Sequence, residues 1–304
     1  MSTGAHTKGM LSGMLTAISY GANPLFAVPM IAAGIGINSI LFYRYCLAAV
    51  IYGGFLICIK RRSLRINLRE FAALLFLALL FSLSSITLFS SFQYIDVGIS
   101  CTLLFIYPSL VALISCIFFG EKLSPRVLFA IAVATGGVVL LCRGDADAPL
   151  NMRGILLVLA SALLYALYIV GVRRLKALSA TRNDTLNFYV MLFGLGVYVV
   201  NLRFCADLQL LSSAFLWGCA ILLALIPTII SLATLTIAIK LIGPTKTAIL
   251  GALEPLTAIV IGVSLFHEKL SAGVVTGFLL IISGVLLIVT RASQEHTPTD
   301  SPGS

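Results

Sequence analysis

PSLVALISCIFFGEKLS, residues 108–124, is written a second time as PLTAIVIGVSLFHEKLS, residues 255–271. Each copy begins at a proline and ends on Glu-Lys-Leu-Ser: Glu121-Lys122-Leu123-Ser124 and Glu268-Lys269-Leu270-Ser271, at a constant offset of 147 residues. The offset holds without a gap from Gly137-Val138 to Gly284-Val285, and backward from Ser84 to Ser231 and Thr87 to Thr234. Apolar helical sequence resembles itself loosely by chance, but it does not keep such a register. The chain reads as one unit of half its length, duplicated.

The solvent of that unit is lipid. The chain has 304 residues, mean hydropathy +1.10, 60% hydrophobic residues and 10% charged residues. A soluble domain carries about 25% charged residues, so this chain lacks the means to cover itself with a water-facing surface. Its apolar runs are continuous rather than alternating, which selects helices over a barrel. Net charge is +9, but the basic residues sit at the ends of apolar runs, where they orient a membrane protein, and nucleic acid is not the expected partner. The seven cysteines are odd in number and show no CxxC pair, so neither a disulfide framework nor a zinc site is expected. From Gly9 onward the apolar run is too long for a cleavable signal. The polar tail at 291–304 is expected to be disordered.

Cuts at polar or Gly/Pro breaks give ten expected spans: 9–31, 37–59, 69–92, 97–119, 124–142, 153–172, 183–202, 213–239, 244–266 and 271–290. With the N-terminus cytoplasmic, fifteen Lys and Arg fall on the cytoplasmic side and four on the other, with Arg44 inside a span. That imbalance puts both termini in the cytoplasm. The repeated turns follow spans four and nine, so an odd number of crossings separates them. The two five-helix halves, 9–142 and 153–290, are therefore inverted about an axis in the membrane plane. Lys8-Gly9 with Tyr20 matches Arg153-Gly154 with Tyr165 at an offset of 145, so a length change of two residues lies between the two registers. Inverted halves that exchange conformations open a central cavity first to one side and then to the other, with substrate bound near midplane.

Several of these residues resemble a known family. Ser19-Tyr20-Gly21-Ala22-Asn23, Arg44, Pro108 with Gly120-Glu121-Lys122-Leu123, Glu254-Pro255 with Glu268-Lys269-Leu270, and the glycines Gly137 and Gly284 look like the drug/metabolite transporter superfamily, EamA type. The resemblance runs from Gly9 to Thr290. It implies a ten-helix exporter of small metabolites, amino acids or drugs, of a kind that usually works without ATP. The run from Gln93-Tyr94 to Ser124 is also similar to exporters of aromatic amino acids and quaternary-amine toxicants. His267, where the first copy has Gly120, departs from strict symmetry of the turns.

Candidate functional residues follow from depth and chemistry. Glu254 lies near midplane, where an ionisable group is a functional candidate: it binds a substrate ammonium or carries a coupling proton, or else it stabilises the break at Pro255. Arg44 is a second coupling candidate; its depth suits either a substrate carboxylate or snorkelling to the interface beside Tyr43 and Tyr45. Pro24, Pro108, Pro227 and Pro255 break spans one, four, eight and nine and are candidate hinges, or else static kinks. Tyr20, Phe81, Tyr107, Tyr165 and Tyr168 are candidates to line an aromatic cavity for planar or cationic substrates, or else they pack helices. Asn23, Ser84 and Thr228 are candidate polar contacts, although small polar residues also join helices. The Glu-Lys-Leu-Ser turns read as helix starts, with Ser124 and Ser271 as caps.

No P-loop, metal-ligand cluster or nucleophile elbow is present, and the loops are short and poor in His, Asp and Glu. The expectation is an all-α integral membrane exporter, not an enzyme, with no metal and no cofactor. Its partners are a small-molecule substrate and membrane lipid, as monomer or homodimer, and its place is the bacterial inner (plasma) membrane. A channel or facilitative pore is the alternative, and a membrane-embedded enzyme a more distant one.

Overall fold

The computed structural model describes residues 3–61, 64–95, 97–120 and 151–265, with scattered positions at 125–136 and 276–283. Among the described residues all regular structure is helical. The Glu-Lys-Leu-Ser turns, Gly137-Val138, Gly284-Val285, His267 and the tail lie outside the described residues, as do most of the fifth and tenth expected spans.

The other eight spans are in place. Span one is α1 (Thr3–Gly21) and α2 (Asn23–Ala32); span two is α3 (Ile37–Gly54) with a π-helical continuation, Phe55–Ile59. Span three is α4 (Leu68–Ser91), and span four is α5 (Val97–Leu104) and α6 (Tyr107–Phe119). Span six is α7 (Met152–Arg174) and span seven α8 (Asn183–Asn201). Span eight runs from α9 (Ala214–Ala224) through a π-helical turn, Leu225–Ile230, into α10 (Ser231–Ile242); span nine is α11 (Pro244–Leu250) and α12 (Leu253–Leu265). At 1.5 Å per residue, the 24 residues of α4 reach about 36 Å, enough for a hydrocarbon core of roughly 30 Å.

Local chemistry sets the ends. Asn67 and Glu70 form a reciprocal capping box at the start of α4: the Asn67 side chain accepts from Glu70 N at 2.8 Å, and Glu70 Oε2 accepts from Asn67 N at 2.9 Å. Asn151 caps α7 by accepting from Arg153 N at 2.9 Å. Arg173 and Arg174 occupy the last turn of α7, where cations complement the helix dipole. Gly120 ends α6 with φ 61°, a left-handed position that glycine takes without a steric cost. Ile57, Phe76, Leu156 and Phe215 stand exposed on the perimeter, as lipid-facing side chains do.

The helices pair by the symmetry of the repeat. α1 packs along α10, and its counterpart α7 packs along α4, the counterpart of α10. Span one also meets span nine, as span six meets span four; spans two and seven face each other, as do spans four and nine. The agreement reaches single residues. A Cβ on Gly9 would fall 2.6 Å from Ile242 and 3.0 Å from Leu241, and a Cβ on Gly154 would fall 2.9 Å from Ile95 and 3.1 Å from Tyr94. Ile95 and Ile242 are repeat mates at offset 147, as are Tyr94 and Leu241. Ser161 Oγ donates to Ser84 O at 2.8 Å, and its mate Thr16 reaches Ser231 O at 3.4 Å and pairs with Thr234 Oγ1 at 2.7 Å. Small residues and hydroxyls let helices approach where lipid supplies no hydrophobic drive.

The breaks are less symmetric than the prolines suggest. Spans four and nine interrupt within one residue of matching places, at Phe105-Ile106 and Gly251-Ala252, each just before its proline. Span one breaks at Ala22, before Pro24, whereas Pro29 sits inside α2 without ending it. Span eight does not break at Pro227 but widens into a π turn. The corresponding parts of spans six and three, α7 and α4, run unbroken.

Candidate substrate site at the repeat interface

A residue that touches its own repeat mate lies on the pseudo-two-fold axis. Among the described residues, two pairs do so. Tyr20, near the end of α1, stacks on Tyr165 of α7 with ring centroids 6.0 Å apart and planes 11° apart. Tyr107, at the start of α6, donates its hydroxyl to Glu254 Oε1 of α12 at 3.2 Å. The pairs also touch each other, since Tyr107 and Tyr165 meet edge-to-face at 4.8 Å. The centre of the molecule is therefore built by the two helix breaks of spans four and nine and by the facing helices α1 and α7.

Close backbone approach makes this arrangement possible. A Cβ on Gly21 would fall 2.6 Å from the Glu254 carbonyl and 2.8 Å from Thr257, so the end of α1 rests directly on the first turns of α12. The Tyr107 hydroxyl lies over Gly251, where a Cβ would collide with it. Both glycines make room for the pair on the axis.

From the axis a run of rings drawn from both halves continues. Tyr168 stacks parallel to Tyr165 at 6.4 Å, Phe81 of α4 meets Tyr168 at 4.9 Å, and Tyr45 of α3 meets Phe81 at 6.3 Å and Tyr198 of α8 at 4.8 Å. The rings are buried, and Tyr168 is 0% exposed. Among the described residues the centre is filled by its own side chains.

Arg44 stands at the edge of the ring run and is also 0% exposed. The snorkelling expected beside an aromatic belt does not occur. Tyr45 is equally buried and Tyr43 is packed edge-on against Trp217, so neither belongs to a lipid interface. Burial is sustained by bonds to span eight: Arg44 Nε donates to Thr228 Oγ1 at 2.6 Å and Nη2 to Pro227 O at 3.1 Å. Pro227 has no N–H to give the carbonyl four residues back. Thr228 Oγ1 supplies the missing donor, bonding Leu223 O at 2.9 Å. The guanidinium also lies 5.9 Å from the Tyr20 ring, 5.8 Å from Tyr45 and 6.0 Å from Phe89.

Of the other candidates, Ser84 is bonded to Ser161 between α4 and α7 and stands outside the ring run. Asn23 begins α2 and is buried, with neither amide atom hydrogen-bonded. Phe89 and Tyr198 carry no mark in the sequence, and Tyr45 reads there only as part of an interfacial belt beside Arg44. Gly194 is the signal for Tyr45, since it lets the Tyr45 ring approach α8 to where a Cβ would fall at 2.7 Å.

Polar contacts secure both ends of α3. At its start, Gln209 Oε1 accepts from Gly36 N, Gln209 O accepts from the Tyr43 hydroxyl at 3.1 Å, and Gln209 N donates to Ser39 Oγ at 3.1 Å. At its far end Asp184 faces Lys60 at 3.7 Å and accepts from the Tyr52 hydroxyl at 3.3 Å. Nearby, Thr181 Oγ1 donates to Glu70 Oε1 at 2.6 Å, and Thr181 O accepts from Lys240 Nζ at 2.8 Å.

With this geometry, comparison with known proteins is informative. The family model for EamA-like transporters matches twice, at residues 7–143 and 152–290. The chain belongs to the EamA-like transporter family. The double match falls on the two repeats, and the chain is a multi-pass membrane transporter of the drug/metabolite superfamily. It is also similar to an uncharacterised transporter, YvbV, of Bacillus subtilis (strain 168), with 24% identity over 226 residues, covering 70% of this chain and 72% of the relative. A solved crystal structure superposes with a TM-score of 0.75 over 96% of this chain and 99% of its own, at 18% identity, a likeness of fold.

Proposed function

We propose that this EamA-family chain is a secondary exporter working by alternating access. It carries small amphipathic solutes, amino acids (aromatic ones among them) or amines, through the ring-lined centre between its halves. The observation that carries this reading is the pair of axial contacts, Tyr20 on Tyr165 and Tyr107 on Glu254. Only at the axis do two inverted halves present one shared site, which each can uncover in turn. Closed packing of the rings favours a carrier over a pore, because a pore keeps a standing path. Glu254, buried and bonded to one hydroxyl, is the group placed to exchange a proton or hold an ammonium. The working orientation has both termini in the cytoplasm of a bacterial plasma membrane.

Counterflow tests the reading. Purified protein in liposomes loaded with unlabelled amino acid or amine should accumulate the labelled solute transiently. Flux that is unsaturable and shows no counterflow would assign a pore instead.

A further inference from the structure

Arg44 is a group whose chemistry the fold leaves unfinished. A guanidinium stays protonated even when buried, and a buried charge is strongly unfavourable without a counter-charge. The partners of Arg44 are neutral: the Thr228 hydroxyl, the Pro227 carbonyl and the faces of three rings. Among the described residues no ion pair joins it to a carboxylate. Glu254 packs its backbone on Gly21, next to Tyr20, and its carboxylate accepts from the Tyr107 hydroxyl. The bonds also follow the shape of the group. Nε and Nη2 donate along one edge, to span eight. Nη1 is buried with no partner, which leaves the end-on edge of Nη1 and Nη2 unused. That edge is the fork that takes both oxygens of a carboxylate at once.

We propose that Arg44 is a carboxylate-binding subsite. The solute's carboxylate lies on the Nη1–Nη2 edge, and its apolar body lies against the Tyr20 and Phe89 rings. This assigns the substrate class of the transporter as organic carboxylates and rests on the carrier reading above. It also gives Pro227 and Thr228 a function: they hold the guanidinium by its side edge and leave its end free.

Equilibrium binding to the purified, full-length protein tests this with matched pairs: phenylalanine and phenylalaninamide, leucine and leucinamide, 3-phenylpropanoate and its amide. At least one carboxylate should bind about tenfold to a hundredfold tighter than its amide, the factor for one charge-assisted hydrogen-bonded pair. Arg44→Lys, which keeps the charge and loses the fork, should erase most of that preference. The wild-type pairs decide the matter even if the variant does not fold. Amides binding as tightly as acids, no carboxylate binding at millimolar concentration, or an unchanged preference in a folded Arg44→Lys would each overturn the subsite. Carboxylate binding without counterflow would overturn the carrier reading and leave the subsite standing. Counterflow of amines alone would do the reverse.

Discussion

The pair α4/α7 and the pair α1–α2/α9–α10 are the same construction made twice, and they differ where it matters. Both are joined by glycines at matching depth and by hydroxyls at matching positions, Ser161 to Ser84 and Thr16 to Ser231. In the first pair both helices are straight. In the second, span one breaks after Gly21 and span eight widens at Pro227-Thr228. The mates of Pro227 and Thr228 are Leu80 and Phe81, so one half carries a ring where the other carries a hydroxyl that holds Arg44. What the halves share is joinery between helices. What they do not share, together with the pairs on the axis, forms the centre. On the proposed cycle, the two helix pairs exchange roles as the centre opens to one side and then to the other.

The largest test of that contrast is steric. Gly21 rests on the Glu254 carbonyl, whereas its mate Ala166 is buried and already carries a Cβ. Gly21→Val should cost about 3 kcal/mol or more and remove most of the monodisperse protein in size-exclusion chromatography. Ala166→Gly should cost only about 1 kcal/mol. Equal losses would mean that the two helix pairs are mechanically alike.

Next is the π turn. Pro227→Ala restores a backbone donor for Leu223 O and should raise the melting temperature in detergent while slowing counterflow by roughly tenfold, as expected when a helix irregularity serves a gating step. Unchanged rates would make the turn a static feature. Glu254→Gln keeps an acceptor for Tyr107 and should fold normally, yet counterflow should lose its dependence on pH. A preserved pH profile removes the proton role. The smallest effects belong to the joinery: Thr16→Val and Ser84→Ala should each cost about 0.6 kcal/mol in thermal unfolding and leave the rate per folded molecule unchanged.

Much of the fold was legible because register survives duplication. The offset that aligns Pro108 with Pro255 also identifies Tyr107 and Glu254 as mates, and mates at an inverted interface have only the axis on which to meet. Span two, read as 37–59, ends where α3 and its π continuation end. The burial of Arg44 was not legible. In a helix that is apolar all round, no periodicity separates a face against lipid from a face against another helix. Depth alone therefore suggested snorkelling, and the partners that hold Arg44 inside belong to span eight, far away in sequence. For the same reason Tyr45 and Tyr198 gave no sign of joining Phe81. Pro227 signalled an irregularity, but proline chemistry alone does not decide between a break and a turn repaired by the neighbouring Thr228.

The central claim is that the axial pair Tyr107–Glu254 is reached from both sides of the membrane in turn. Single-cysteine labelling measures this directly. With the seven native cysteines replaced and Tyr107→Cys introduced, a membrane-impermeant maleimide should label the protein when added to either face of oriented vesicles. Saturating substrate should slow labelling from both faces. Labelling from one face only, with or without substrate, would contradict the account.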